Sequence, residues 1–194
     1  MRADQSIPAC TDIAAAGRVV TTPRPFEPAR RRAIDTRRVA GNRSDTPGII
    51  AVPPMLYGVA FAVGVVPRWL FPEPILQPAI TLGIGVMLLC AGAALAVWGN
   101  HVLRQAGTSA NPSLPTTALV VTGPFAFSRN PLYLARTLLY IGLALAMNML
   151  WTLVTLLPLL VVMHYGVIRR EERYLELKFG SAYRRYRATV RRWL

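Results

Sequence analysis

The fold is decided by the stretch PLYLARTLLYIGLALAMNMLWTLVTLLPLLVVMHYGVI, residues 131–168, which carries one charged side chain in 38 residues. A membrane-spanning helix needs about 20 apolar residues, because an α-helix rises about 1.5 Å per residue and the hydrocarbon layer is about 30 Å thick. The stretch is too long for one span, so it predicts two helices of roughly 18 residues joined by a tight turn at 147–149. Two further uncharged segments, 49–67 and 78–99, predict two more spans.

Charge is segregated along the chain in the way that a hydrocarbon environment requires. Of 22 Lys and Arg residues, nine lie in 1–47 and nine lie in 169–194. Glu73 is the sole carboxylate of the stretch 48–168. A charge at the centre of a bilayer costs several kcal/mol, so this distribution is typical of an integral membrane protein. We therefore predict an all-α membrane protein with about four transmembrane helices and a cytosolic C-terminal helical tail.

The basic ends also predict orientation and domain organisation. Lys and Arg beside membrane spans favour the cytosolic side, and an even number of spans places both termini there. The loop at 100–130 then lies on the same face. Residues 1–47 lack apolar periodicity and are interpreted as a disordered basic segment, which leaves 48–194 as the membrane domain. The net charge of +13 is interpreted as contact with the membrane surface and not with nucleic acid.

The sequence predicts neither a metal site nor a disulfide. Cys10 and Cys90 lie in a tail and in a predicted span, and they have no partner at a useful spacing. His101 and His164 are equally isolated. Each is interpreted as a polar group near a membrane interface.

Two connecting regions have local signals. The loop at 100–130 contains a β-prone run, 118–122, followed by a Gly-Pro turn. The tail REERYLELKFGSAYRRYRATVRRWL (170–194) predicts a helix over 169–179 that Gly180 ends, and a second helix that Ser181 caps. Amphipathic helices at the membrane interface would account for most of the tail.

Two polar segments must meet at one membrane face, because they bracket the apolar hairpin. They are GPFAFSRNPLY (123–133) and REERYLELKFG (170–180), and folding brings together Arg129, Asn130, Tyr133, Glu171 and Glu172. An arginine offers a planar fork of donors for a carboxylate, and the first turn of a helix that begins with proline can receive an anion. A glutamate could bind an ammonium group or a ribose hydroxyl. The competing interpretation is an anchoring arginine beside two glutamates that pair with cations along one helix.

The order of these segments resembles the isoprenylcysteine carboxyl methyltransferase family of integral membrane methyltransferases, which are relatives of the phospholipid N-methyltransferases. The resemblance runs from about residue 79 to 194. It implies a site for S-adenosyl-L-methionine on the cytosolic side, formed in this sequence by Gly123, Pro124, Phe125, Arg129, Asn130, Pro131, Tyr133, Glu171 and Glu172. Asn130 stands where many members have histidine, and the ending VRRWL lacks the proline expected after Val190.

The resemblance further implies methyl transfer to a lipophilic acceptor, by carboxylate O-methylation or amine N-methylation. The alignment of the two reactants accounts for much of the rate acceleration in such a reaction, because holding them in position lowers the activation barrier by roughly 7–11 kcal/mol. Arg136 and Arg170 are the candidate catalytic residues that would position the acceptor; for Arg136 a snorkelling anchor is the alternative. Two other functions stay open, a membrane reductase with a nicotinamide cofactor and a non-catalytic lipid-binding scaffold.

Overall fold

The chain is described by a computed structural model over residues 20–21, 48–49, 51–111 and 114–193. These residues are mostly helical, which agrees with the predicted class. The helices are α1 (Pro53–Leu70), α2 (Pro78–Gln105), α3 (Pro131–Ala146), α4 (Leu150–Val162), α5 (Arg169–Phe179) and α6 (Ser181–Thr189). A 3-10 turn (Gly123–Ala126) precedes α3, and a π-helical segment (Met163–Ile168) lies between α4 and α5.

The apolar stretch forms the predicted hairpin. Helix α3 ends at Ala146 and α4 begins at Leu150, so the turn falls at the predicted residues. Asn148 adopts a positive φ of 52° there. Asparagine tolerates this left-handed conformation better than most residues, which explains how so short a connection reverses the chain. The prediction of two helices and a tight turn is confirmed.

The junction between α4 and α5 was not predicted in its detail. The π-helical segment continues α4 directly into α5, so that Leu150–Phe179 is one continuous helix of 30 residues. A π-helix has a wider turn than an α-helix, and insertions of this kind are frequent at functional sites. The wider turn changes the helical register between α4 and α5, and it therefore determines towards which side of the bundle the first residues of α5 point.

Two of the helices are long and apolar enough to cross a membrane. They are α2, with 28 residues, and the continuous helix Leu150–Phe179, with 30 residues. Helix α3 is apolar but has only 16 residues. In the most apolar part of α2, only 17% of the residues are buried. Most of its apolar side chains therefore face outwards, unlike those of a core helix in a soluble protein. The described residues thus support two of the four predicted spans on this criterion.

Small residues bring α2 and α3 into backbone contact. A Cβ atom at Gly85 would lie 2.5 Å from the backbone nitrogen of Ala146, and one at Gly142 would lie 2.9 Å from the carbonyl oxygen of Gly85. Close packing through small residues is the usual way in which membrane helices associate. On the other side of the hairpin, α1 packs against α4. Buried side chains of this bundle are Tyr57, Tyr133, Tyr140, Leu156, Leu159, Met163, Val167 and Ile168.

The loop before α3 contains a short strand. Strand β2 (Ala118–Leu119) pairs antiparallel with β1 (Val20–Thr21), so the predicted β-prone run is a strand in its first two residues. The predicted disorder of 1–47 otherwise falls on residues outside those that the structure describes.

Gly180 has two roles where one was predicted. It follows the last residue of α5 with a φ of 54°, as expected of a helix-ending glycine. It also precedes α6 directly, so Ser181 is the first residue of that helix and not its cap. The prediction that Ser181 caps α6 was wrong, because Gly180 is the one residue between the two helices and itself takes the N-cap position of α6.

Candidate functional site

A pocket lies at the end of the bundle where α3 and α5 begin. The cavity has a volume of about 90 Å³. A single water needs about 10–15 Å³, so the cavity has room for several waters. A larger ligand must also occupy the open side of the pocket. The loop before α3 and helix α6 complete the walls. Its polar side chains include Arg129, Asn130, Tyr133, Arg136, Glu171 and Glu172.

A hydrogen bond between α3 and α5 crosses the pocket. Tyr133 Oη donates to Glu171 Oε2 at 2.7 Å. The guanidinium of Arg136 lies against the same tyrosine, with its Cζ atom 5.4 Å from the ring centroid, which is within the range of a cation–π contact. Tyr133 therefore holds a carboxylate with its hydroxyl and a cation with its ring.

The second glutamate is enclosed by two arginines. Arg192 donates to both carboxylate oxygens of Glu172, from Nε at 3.0 Å and from Nη2 at 2.7 Å. Arg129 Nη1 lies 3.0 Å from Glu172 Oε1, and the side chains of both residues are only 11% exposed. The carboxylate of Glu172 is therefore fully paired by two cations.

Arg129 keeps donor capacity that the described residues do not use. Its buried Nε atom has no hydrogen-bond partner among them, whereas its buried Nη1 atom is ion-paired with Glu172 at 3.0 Å without the alignment of a hydrogen bond. A buried donor without a partner costs about 1–3 kcal/mol, so a polar ligand that accepts from it is favoured. No three His, Cys, Asp or Glu side chains converge among the described residues. The donor set suits an organic ligand with a carboxylate.

Residues 191–193 hold the segment that precedes α3. The carbonyl oxygen of Arg192 accepts from Ser128 Oγ at 3.1 Å and from Asn130 Nδ2 at 3.2 Å. The carbonyl oxygen of Arg191 accepts from the backbone N–H of Arg129 at 3.0 Å. Trp193 packs against the hydrophobic core of the bundle. The residues before α3 are thus fixed by the last residues described, and not by α3 alone.

Helix α6 contributes two buried tyrosines. Burial, followed by the nearby charge of Glu172, raises the pKa of Tyr183 to about 12. Burial also raises the pKa of Tyr186 well above its usual range, and its hydroxyl donates to the carbonyl oxygen of Phe125 at 2.7 Å. Both hydroxyls stay protonated at neutral pH, so they are donors and do not add negative charge to the pocket.

Most of the site residues predicted from the sequence lie together, and three do not line the pocket. Gly123, with a φ of 61°, and Pro124 form the turn that leads into the pocket wall. Arg170 donates from Nη1 to the carbonyl oxygen of Gly48 at 2.8 Å and faces away from the pocket. The residues that do line it are Phe125, Arg129, Asn130, Pro131, Tyr133, Arg136, Glu171 and Glu172.

Sequence reasoning missed the side chains that the tail contributes. Arg192 contacts Glu172 directly, and Tyr183 and Tyr186 line the pocket. Arg192 is one of five arginines in the last 11 residues, and nothing in their spacing distinguishes it from the others.

The fold and the pocket define a class: a helical protein with membrane-type helices and a pocket with charged side chains at one end of the bundle. The model of the phospholipid methyltransferase family matches residues 80–182, just over half of the chain. The chain belongs to the phospholipid methyltransferase family. Membership indicates a membrane methyltransferase. The matched region includes every pocket residue predicted from the sequence, whereas Tyr183, Tyr186 and Arg192 lie beyond it.

One curated relative is similar over a short region. A Haemophilus influenzae protein (strain ATCC 51907 / DSM 11121 / KW20 / Rd), named "Uncharacterized protein", is 57% identical over 35 residues, which are 18% of this chain and 56% of that protein. The chain thus matches about half the length of that relative. No solved structure matches the chain.

Proposed function

We propose that the chain is an S-adenosyl-L-methionine-dependent methyltransferase of the isoprenylcysteine carboxyl methyltransferase type, acting at the membrane on a lipophilic acceptor. Family membership supports methyl transfer. The observation that carries the cofactor assignment is the convergence of Arg129, Tyr133 and Glu171 on one partly enclosed pocket.

The pocket residues match the groups of this cofactor. The Nε donor of Arg129, which has no partner among the described residues, suits its carboxylate. Glu171, held by Tyr133, has carboxylate oxygens that can accept from its ammonium group or from a ribose hydroxyl. Asn130 is fixed by its bond to the chain end and presents a polar side chain beside both. Phe125, Pro131 and the α6 tyrosines supply the less polar walls.

The reaction requires little acid or base catalysis by the protein. When bound, S-adenosyl-L-methionine supplies an electrophilic methyl group on a sulfonium sulfur. A carboxylate acceptor is already ionised at neutral pH and needs no base, whereas an ammonium acceptor must first lose a proton. The protein's contribution is to align the acceptor and exclude water, and Arg136 is the side chain placed to orient an acceptor at the membrane side of the pocket.

The proposed topology has four spans, with both termini and the pocket on the cytosolic side. Helix α1 has 18 residues and α3 has 16, which are short for a full span and fit a locally thinner bilayer or snorkelling flanks. Cysteines placed at Ser109 and Ser181 should resist a membrane-impermeant thiol reagent in intact cells. Labelling of either position from outside would contradict the common cytosolic face.

The activity is tested directly with S-adenosyl-L-methionine that carries a radiolabelled methyl group. Purified protein is incubated with extracted membrane lipids and, separately, with a prenylcysteine analogue. We expect label in an organic-soluble product, and no label with Glu171→Gln. Hydride transfer from a nicotinamide cofactor without methyl transfer would favour the reductase, and neither activity would favour a scaffold.

A further inference from the structure

The π-helical segment Met163–Ile168 places the ring of Tyr165 on the outside of the bundle. The half-buried His164 contacts this ring edge to face, with the two ring centroids 4.8 Å apart. Tyr165 is exposed, whereas the three residues after it are buried. The hydrogen bonds of a π-helix join residues five apart, so side chains four and five positions apart lie on one face. Arg169 therefore lies on the same outer face as these two rings.

Arg169 is exposed and lies over the ring of Tyr165. Its Cζ atom is 5.5 Å from the ring centroid, within the range of a cation–π contact. Its side chain makes no hydrogen bond or ion pair with the part of the chain that the structure describes. A guanidinium that rests on an aromatic ring keeps the N–H groups in its own plane available, and this planar fork matches the oxygens of a phosphate group.

The same two residues end a row of exposed side chains along one face of the helix. Counting back from Arg169 in steps of four gives Tyr165, Val161 and Leu157, and side chains four positions apart lie on one helix face. Val161 and Leu157 are both exposed. The row thus runs from two apolar side chains through an aromatic ring to a cation, which is the order of chemical environments from the middle of a bilayer leaflet to its phosphates.

Arg169 also lies at the depth of the lipid headgroups. No Asp, Glu, Lys or Arg occurs in 137–168, so Arg169 is the first charged residue after the apolar hairpin. Helix α4 and the π-helical segment have 13 and 6 residues. At about 1.5 Å per residue they cover about 28 Å, close to the hydrocarbon thickness of about 30 Å. The guanidinium of Arg169 therefore reaches the phosphates at one surface of the bilayer.

We propose that Tyr165 and Arg169 form a binding site for an anionic phospholipid of the leaflet that borders α5. The phosphate accepts hydrogen bonds from the guanidinium of Arg169, which the ring of Tyr165 holds in place. One acyl chain lies along Val161 and Leu157. None of these four residues lines the pocket at the start of α3 and α5, so lipid binding here is separate from the methyl transfer proposed above.

The charge beside the site selects an anionic headgroup. Arg170 is exposed next to Arg169 and donates to the carbonyl oxygen of Gly48 at 2.8 Å. Two adjacent cations repel the trimethylammonium group of a choline headgroup. A headgroup without a cation avoids this repulsion and leaves the whole phosphate charge to pair with the arginines. Phosphatidylglycerol should therefore bind more tightly than phosphatidylcholine.

Arg173 provides a matched control on the same helix face. It is exposed, and it lies four residues beyond Arg169, which places it about 6 Å farther from the hydrocarbon. Arg173→Gln and Arg169→Gln therefore remove the same charge at two depths. A general attraction of the basic tail to the membrane surface predicts similar effects of the two substitutions, whereas a site at Arg169 predicts a large effect of one and a small effect of the other.

The test is native mass spectrometry of the full chain in a neutral detergent, titrated with dioleoyl phosphatidylglycerol and, separately, with dioleoyl phosphatidylcholine. We expect the first phosphatidylglycerol to bind about fivefold more tightly than the first phosphatidylcholine. Arg169→Gln should weaken this binding about fivefold, and Arg173→Gln should weaken it by less than about twofold. Tyr165→Leu should weaken it about threefold, and Tyr165→Phe, which keeps the ring, should retain the affinity.

Three outcomes would overturn the inference. The first is an equal loss of affinity in Arg169→Gln and Arg173→Gln, and the second is equal affinity for the two lipids. The third is displacement of the bound phosphatidylglycerol by an equal concentration of inorganic phosphate, which would indicate a site for soluble anions. Thermal unfolding in the same detergent confirms that each variant is folded, and none of these measurements depends on methyl transfer.

Discussion

At each end of the helix bundle an arginine contacts a second structural element, but the two arginines differ in burial and in their partners. At the turn between α3 and α4, Arg68 donates to the carbonyl oxygens of Met147 and Asn148 at 3.3 and 3.2 Å, and it is exposed. At the opposite end, Arg129 pairs with Glu172 through a largely buried side chain, and its Nε donor has no partner among the described residues. The first arginine closes a turn, and the second belongs to a pocket.

The contrast extends to the neighbouring groups. Asn148 Oδ1 accepts from the backbone N–H of Ile75 at 2.8 Å, and its Nδ2 donates to the carbonyl oxygen of Leu76 at 2.9 Å. Its amide oxygen and its amide nitrogen are thereby both bonded to backbone groups. At the pocket end, Tyr133 pairs with Glu171 and Arg192 pairs with Glu172, while the buried Nε of Arg129 has no partner among the described residues. Spare buried hydrogen-bonding capacity, and not polarity itself, distinguishes the binding end from the structural end.

The largest effect is expected at Glu172. Glu172→Ala leaves Arg129 and Arg192 close together without their carboxylate, and loss of one partner from a buried ion pair costs about 3–5 kcal/mol. Unfolding in detergent micelles should show this loss of free energy, together with loss of S-adenosylhomocysteine binding. The matched control is Glu176→Ala in the same helix, where the pair with Arg187 is largely exposed. Equal destabilisation by both substitutions would contradict the account.

A second prediction concerns the chain end. Arg192→Lys keeps the charge but removes the two-point contact with Glu172, because an ammonium group has no planar fork. Affinity for S-adenosylhomocysteine should fall about fivefold to tenfold. Arg191→Lys should leave it unchanged, because that side chain is exposed and only its carbonyl oxygen contacts Arg129. Similar affinities for the two variants would mean that the tail does not position the pocket.

The structural end is tested at Asn148. Asn148→Ala removes the amide bonds and places a side chain without them at a φ of 52°, so we expect a loss of about 2 kcal/mol in the free energy of unfolding. Asn148→Gly relieves the backbone strain and should cost less. Calorimetry should give unchanged cofactor affinity for both. A tenfold change in affinity would break the distinction between the two ends.

The smallest effect is expected at Arg187. Its bond to Glu176 joins two side chains that are 53% and 34% exposed. Such surface pairs contribute about 0–1 kcal/mol. Arg187→Ala should change neither the unfolding free energy by more than about 0.5 kcal/mol nor the affinity for S-adenosylhomocysteine, and a larger effect on affinity would extend the pocket beyond the residues that line it.

The sequence was sufficient where one local property decides the structure. The uncharged runs predict the helices, the length of 131–168 predicts the hairpin, and Gly180 ends α5. Because the hairpin brings its two flanks together, the meeting of Tyr133 with Glu171 could also be predicted.

What remained unpredictable depends on backbone register or on distant contacts. Nothing in the composition of 163–168 distinguishes a π-helix from an α-helix, although this segment sets the faces of α5. The pairing of Val20–Thr21 with Ala118–Leu119 joins residues about a hundred positions apart. Arg192, and not another arginine of the tail, pairs with Glu172 because Ser128 and Asn130 hold the backbone of Arg192 beside the pocket.

The central claim is that the pocket at the start of α3 and α5 binds the methyl-donor cofactor. It is tested most directly by calorimetric titration of the purified protein and of Glu171→Gln with S-adenosylhomocysteine and, separately, with reduced nicotinamide adenine dinucleotide phosphate. The account predicts saturable binding of S-adenosylhomocysteine, at least tenfold weaker binding in Glu171→Gln with the fold intact, and no heat from the nicotinamide cofactor. Equal affinity in the folded variant, or binding of the nicotinamide cofactor alone, would contradict it.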